Sequence, residues 1–101
     1  MIFITQLIYI NEGENETFLQ FEKSVLPIIS RYKGRLLLRM RPTEESFVET
    51  QIEKPFEIHL VAFDNEQDFE DFKNDAERKN FLHLKELSVK SVLLIKGSEI
   101  K

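Results

Sequence analysis

The chain has 101 residues, a formal net charge of −4, no cysteine and no tryptophan, with 42% hydrophobic and 32% charged residues. That length fits one globular domain over residues 1–101, and the composition suits neither a disordered nor a membrane-embedded chain. The lack of cysteine excludes a disulfide framework, a Cys-ligated zinc and a thiol nucleophile, and the acidic balance, with no Lys/Arg run longer than two, argues against a nucleic-acid partner. A cytoplasmic location with no membrane partner is the expectation.

Residues 2–10, IFITQLIYI, are β-branched and aromatic and apolar on both faces, which predicts a strand covered on both sides. The segment lacks the basic start and cleavage site of a secretory signal, and it is too short to span a bilayer as a helix. A turn cluster, Asn11-Glu12-Gly13-Glu14, ends it. Residues 14–33 carry Phe18, Phe21, Val25, Ile28 or Ile29 and Tyr32 at helical spacing. Glu14 and Glu16 sit in the first turn and Arg31 and Lys33 in the last, which complements the helix dipole. Pro27 predicts a kink or break, and Gly34 is the expected positive-φ stop.

Residues 34–42, GRLLLRMRP, predict a second strand, with Leu36, Leu38 and Met40 on one face and Arg35, Leu37, Arg39 and Arg41 on the other. Residues 43–54 form a long polar connection that strand extensions can flank. Residues 55–64, PFEIHLVAFD, form a central strand. Phe56, Ile58, Leu60 and Ala62 share one side; Glu57, His59, Val61 and Phe63 share the other, which is the more polar. Asp64-Asn65 followed by Asp68 marks a helix start, with Phe69, Phe72 and Ala76 as its stripe. Asn74-Asp75 can re-cap a short helix carrying Phe81, Leu84 and Leu87. Val89–Ile95 is the last strand, before a polar tail over 97–101.

The order β-α-β-β-α-β predicts an α+β, ferredoxin-like fold: a four-stranded antiparallel sheet with the first and third strands central. Two helices cover one sheet face. The uncovered face is expected to show Val61, Phe63, Leu37 and one side of the first strand, and a second copy packed face to face covers it as a homodimer.

On the motifs KGRLLLRMRP, PFEIHLVAFDNEQDFEDFKND and SVLLIKG, nearly the whole chain resembles the dimeric α/β-barrel superfamily. That superfamily includes cofactor-independent antibiotic-biosynthesis monooxygenases, haem-degrading monooxygenases and many domains without assigned role. The resemblance implies a dimeric α/β barrel, with a pocket between sheet and helices for a small aromatic or anionic ligand. Haem-degrading relatives use a helical histidine on iron, and His83 matches in residue type and element. It lacks a supporting aromatic pocket, so neither haem nor any other cofactor is expected.

His59 and Arg39 are the candidate catalytic pair: an imidazole to move a proton and a guanidinium to hold an anionic or enolic ligand. The alternative is a histidine hydrogen-bonded at the dimer contact and a cross-strand pairing of Arg39 and Arg41 with Glu57 or Glu53. Arg41, Tyr9 and Tyr32 are candidate ligand-binding residues, the tyrosines by aiming hydroxyls into the cavity. No Asp/Glu/His spacing suggests a metal site. Two function classes remain: a small-molecule-binding homodimer, as a cofactor-independent oxygenase or isomerase, and a non-catalytic dimeric structural or interaction module. Whether His59 and Arg39 share a face depends on a register that the long connection does not fix.

Overall fold

Residues 1–100 are described by a computed structural model of the chain. β1 (Ile2–Ile10) runs into α1 (Asn15–Val25), which continues as a 3-10 segment, Leu26–Tyr32. The change of helix type falls where Pro27 removes a backbone donor. β2 (Arg35–Met40) follows, then β3 (Glu57–Phe63). A new helix does start at Asp75, but where two helices were expected there are three short ones, α2 (Glu66–Lys73), α3 (Ala76–Lys79) and α4 (Leu82–Ser88), before β4 (Val89–Gly97). Asn65 caps α2 by accepting from the Asp68 amide, and Asp75 caps α3 by accepting from the Arg78 amide. Glu44–Ser46 of the 43–54 connection forms a 3-10 turn capped by Thr43, and no strand extension flanks it.

The sheet is antiparallel in the order β2-β3-β1-β4, with β1 and β3 central. The helices lie on one face only, and the molecule is 16 Å deep in its thinnest dimension. The core between the layers holds Ile4, Phe21, Val25, Ile28, Val61 and Phe63, with Phe69 and Phe72 from α2. Phe63 meets both α2 rings at centroid separations of 5.4 and 5.7 Å.

Three expectations are corrected. Val61 and Phe63 do not face outward: with Glu57 and His59 they form the helix-covered side of β3. The open face instead carries Phe3 and Leu7 of β1, Ile58 and Leu60 of β3, Leu38 and Met40 of β2, and Leu93 and Ile95 of β4. Alternation groups residues by side, and both sides of β3 are apolar enough to receive helices. Gly34 does not have positive φ; Lys33 does, at 60°. Gly34 is required for space, because a Cβ there would collide with Ile29 and with the Phe63 ring.

The third correction concerns β2. Arg35 pairs with Ala62 and Leu36 with Val61, but Leu38 pairs with Leu60 and Arg39 with His59. Leu37 is the extra residue of a bulge. Leu36 therefore parts from Leu38 and Met40, which point to the open face. Without the bulge Arg39 would lie opposite Ile58; with it, Arg39 lies opposite His59 on the helix side.

Candidate functional site

The covered face of β3 begins with two polar residues, Glu57 and His59, in line with Val61 and Phe63. Burying a carboxylate costs several kcal/mol unless donors surround it. Glu57 is 0% exposed and has three: Nε of Arg39 donates to Oε1 at 2.7 Å, Nε of Arg41 donates to Oε2 at 2.8 Å, and Nε2 of His59 lies 2.6 Å from Oε1. A carboxylate only accepts, so the proton of that last contact is on the imidazole. The donors hold the Glu57 carboxyl well below the ordinary carboxylate range, against the opposing effect of burial.

Glu22 completes the cluster from α1. It is 2% exposed; its Oε1 accepts from Nη2 of Arg39 at 2.7 Å. Its Oε2 lies 2.7 Å from Nε2 of His59 yet receives no hydrogen bond, since the single Nε2 proton is directed to Glu57. Burial raises the Glu22 pKa, and nearby Glu57 adds to the rise. Burial alone would lower the His59 pKa, but its contacts with Glu22 and Glu57 outweigh that and raise it. Glu22 and His59, 2.7 Å apart, thus both have raised pKa values, and each one's charge bears on the other's titration. Among the described residues no hydrogen bond is made at Nδ1 of His59.

Glu22 and His59 line a cavity of about 270 Å³ between α1, the later helices and the sheet. Its other walls are mainly apolar, among them Phe21, Val25, Val61, Phe69 and Val92. The arrangement supports proton transfer at the edge of an apolar chamber, with a buried carboxylate holding the imidazole in place. Glu22, Glu57 and His59 also bring three possible metal-ligand atoms within 4.8 Å of one another, a grouping that no sequence spacing showed. Two guanidiniums already neutralise the two carboxylates, so this donor set offers a divalent cation little net attraction.

The sequence-predicted residues separate. His59 and Arg39 meet through the carboxylates, and Arg41 joins them while stacking 5.0 Å from the Phe56 ring. Arg39 spends Nε and Nη2 on Glu57 and Glu22. Tyr9 lies on the open face, where its hydroxyl donates to the Glu53 carbonyl at 2.9 Å. Tyr32 donates to Asp75, away from the cavity. His83 is exposed on α4. Glu22 was missed, although a signal existed: it sits four residues after Phe18 and three before Val25, on the buried stripe of α1.

This chain is an α+β domain of ferredoxin-like fold, and the expected resemblance to the dimeric α/β barrels holds at the level of fold. Solved structures show the likeness. A protein of unknown function from Rhodopseudomonas palustris superposes with a TM-score of 0.82 at 13% identity, over 99% of this chain and 82% of that one. An uncharacterized NIPSNAP domain protein from Burkholderia xenovorans gives 0.72 at 15% identity, over 99% and 95%. A dimeric protein of unknown function and ferredoxin-like fold from Bacteroides fragilis gives 0.71 at 10% identity, over 97% and 95%. No family model matches the sequence, and neither does any curated protein sequence. No helix among the described residues is long and apolar enough to cross a membrane.

Proposed function

We propose that this chain is a cytoplasmic, homodimeric small-molecule-binding domain whose cavity moves a proton on its ligand, as a cofactor-independent isomerase does. The observation that carries the reading is the Glu22–His59 pair: two buried titratable groups 2.7 Å apart, one carboxylate oxygen without a hydrogen bond, both in the wall of an apolar cavity. The pair takes a proton from an acidic C–H of the bound ligand and returns it at a second carbon, so no electrons are exchanged with the protein. Arg39 and Arg41 act as positioning residues that hold the carboxylates. A cofactor-independent oxygenase begins with the same deprotonation; the carbanion then gives its electrons to dioxygen, forming a C–O bond and a peroxide that takes up the proton. The apolar open face supports the homodimer.

The alternative, a non-catalytic dimeric module, draws support from the saturation of Glu57, whose bonds fasten β2 to β3 as a structural network does. A thermal-shift screen of small enolisable ketones and acids separates the readings, followed by proton NMR of the hits in D₂O. Proton transfer predicts accelerated exchange of the ligand's acidic C–H, lost in His59→Gln and in Glu22→Gln while dimer mass is retained. Hits that bind equally well to both variants and never exchange would sink it. Oxygen uptake by the same hits would mark the oxygenase branch.

A further inference from the structure

Most cations of this protein that approach the interior have a carboxylate beside them. Arg39 and Arg41 share Glu57, and Lys73 lies 2.9 Å from Glu70. Arg78 of α3 and Lys85 of α4 are different. Both are half-buried, and among the described residues neither has a carboxylate within ion-pair distance. Both line the cavity that holds Glu22 and His59. They are close enough for the charge on Arg78 to act on Lys85: burial first, and that charge second, lower the Lys85 pKa.

The surroundings of Arg78 show how the guanidinium is left without an ion pair among the described residues. Its Nη1 donates to the Lys73 carbonyl at 3.1 Å, its guanidinium sits 5.2 Å from the Phe72 ring, and its buried Nε donates to nothing. Asp75 is the nearby acid and its charge favours the charged guanidinium, but the two make no ion pair, and both Asp75 oxygens have other donors. One caps α3 through the Arg78 amide at 2.8 Å, and the other accepts the Tyr32 hydroxyl. Two like charges held together in a partly desolvated wall repel each other, and an anion between them would relieve that cost.

We infer that the cavity takes an amphipathic carboxylate, its carboxylate held by Arg78 and Lys85 and its apolar body packed on Phe21, Phe69 and Phe72. The inference rests on the small-molecule pocket proposed above and adds the class of its ligand. Electrostatics also set the orientation. Arg39 and Arg41 already neutralise Glu22 and Glu57, whereas Arg78 and Lys85 have no ion pair among the described residues, so the charged end goes to α3 and α4 and the uncharged end faces the acid–histidine pair. The cavity, about 270 Å³, lies just below the usual range for drug-sized ligands, which suits a small carboxylic acid.

Octanoate and phenylacetate, their primary amides, and inorganic phosphate are the probes, read by thermal shift and calorimetry on the full chain. The expected result is that the acids raise the Tm and the amides do so much less. Arg78→Gln and Lys85→Met should each weaken acid binding about tenfold, the loss of one charge-assisted contact, and leave amide binding unchanged. Without ligand, Lys85→Met should match or exceed the wild-type Tm, because it removes an unpaired charge; a purely structural Lys85 predicts a lower one. Amides that bind as tightly as acids overturn the carboxylate inference and leave the pocket reading standing. Failure of acids and amides alike overturns both. Phosphate competing as strongly as octanoate would reveal a bare anion site and overturn the amphipathic ligand.

Discussion

Glu57 shows how one residue can be both costly and indispensable. It is fully buried, and both of its oxygens carry charged donors. Glu57→Gln would turn an acceptor into a donor beside two guanidiniums and an imidazole, a loss of about 3 kcal/mol by the usual cost of breaking a buried ionic cluster. Denaturant melts should show a lower midpoint with an unchanged slope; an unchanged midpoint would mean that the arginines find equal company in water. His59 makes a pH forecast. Its native pKa is raised above the ordinary 6.5 by the two carboxylates, so the folded state holds the proton more tightly than the unfolded one. The resulting stability is fully present below pH 6.5 and is lost as pH climbs through the raised native value. Glu57, with its lowered pKa, acts oppositely, contributing above its ordinary 4.5 and failing as acid protonates the native state. The Tm advantage of wild type over His59→Gln should thus shrink as pH rises above 6.5. A constant gap would show that the imidazole is neutral throughout.

Among the elements, the short helices after β3 depend on their caps more than on their length. Four residues of α3 cannot sustain a helix alone. Asp75 both caps it and accepts the Tyr32 hydroxyl, joining α3 to the 3-10 segment. Asn65 only caps α2. Asn65→Ala should therefore cost about 1 kcal/mol, the loss of a cap, and Asp75→Ala about 2 kcal/mol, a cap plus a hydrogen bond. Equal losses in chemical denaturation would remove the tie between Asp75 and Tyr32. The bulge at Leu37 is the other decision made at this scale. One extra residue turns Arg39 and Arg41 toward the helices, and without that turn Glu57 and Glu22 would lose their guanidiniums.

At the scale of the molecule, a single helical layer leaves one sheet face open, with Leu93 at 49% and Ile95 at 50% exposure. Leu60 lies on β3 in the middle of that face. Leu60→Asp should give a folded monomer by light scattering at micromolar concentration, because a charge there is tolerated in water but not inside a dimer contact. Phe63→Asp should instead unfold the chain, since Phe63 belongs to the core beneath the helices. A dimeric Leu60→Asp protein would place the contact elsewhere.

The sequence by itself determined the elements and their order. The alternation of β3, the helical stripe Phe18–Phe21–Val25, the break at Pro27 and the caps at Asn65 and Asp75 are properties of local backbone geometry and neighbouring side chains. The topology followed from connection handedness. Only the tertiary structure decided which side of the sheet receives the helices, because a period of two sorts residues into sides without choosing between two apolar ones. It alone set the β2–β3 register, since a bulge leaves no mark in the run LLL and the long connection tolerates either pairing. It alone brought Glu22, 35 positions before Glu57 in the chain, to the same imidazole. A carboxylate on an apolar stripe is legible locally as an anomaly, but the donors that make its burial tolerable come from strands that only folding brings near.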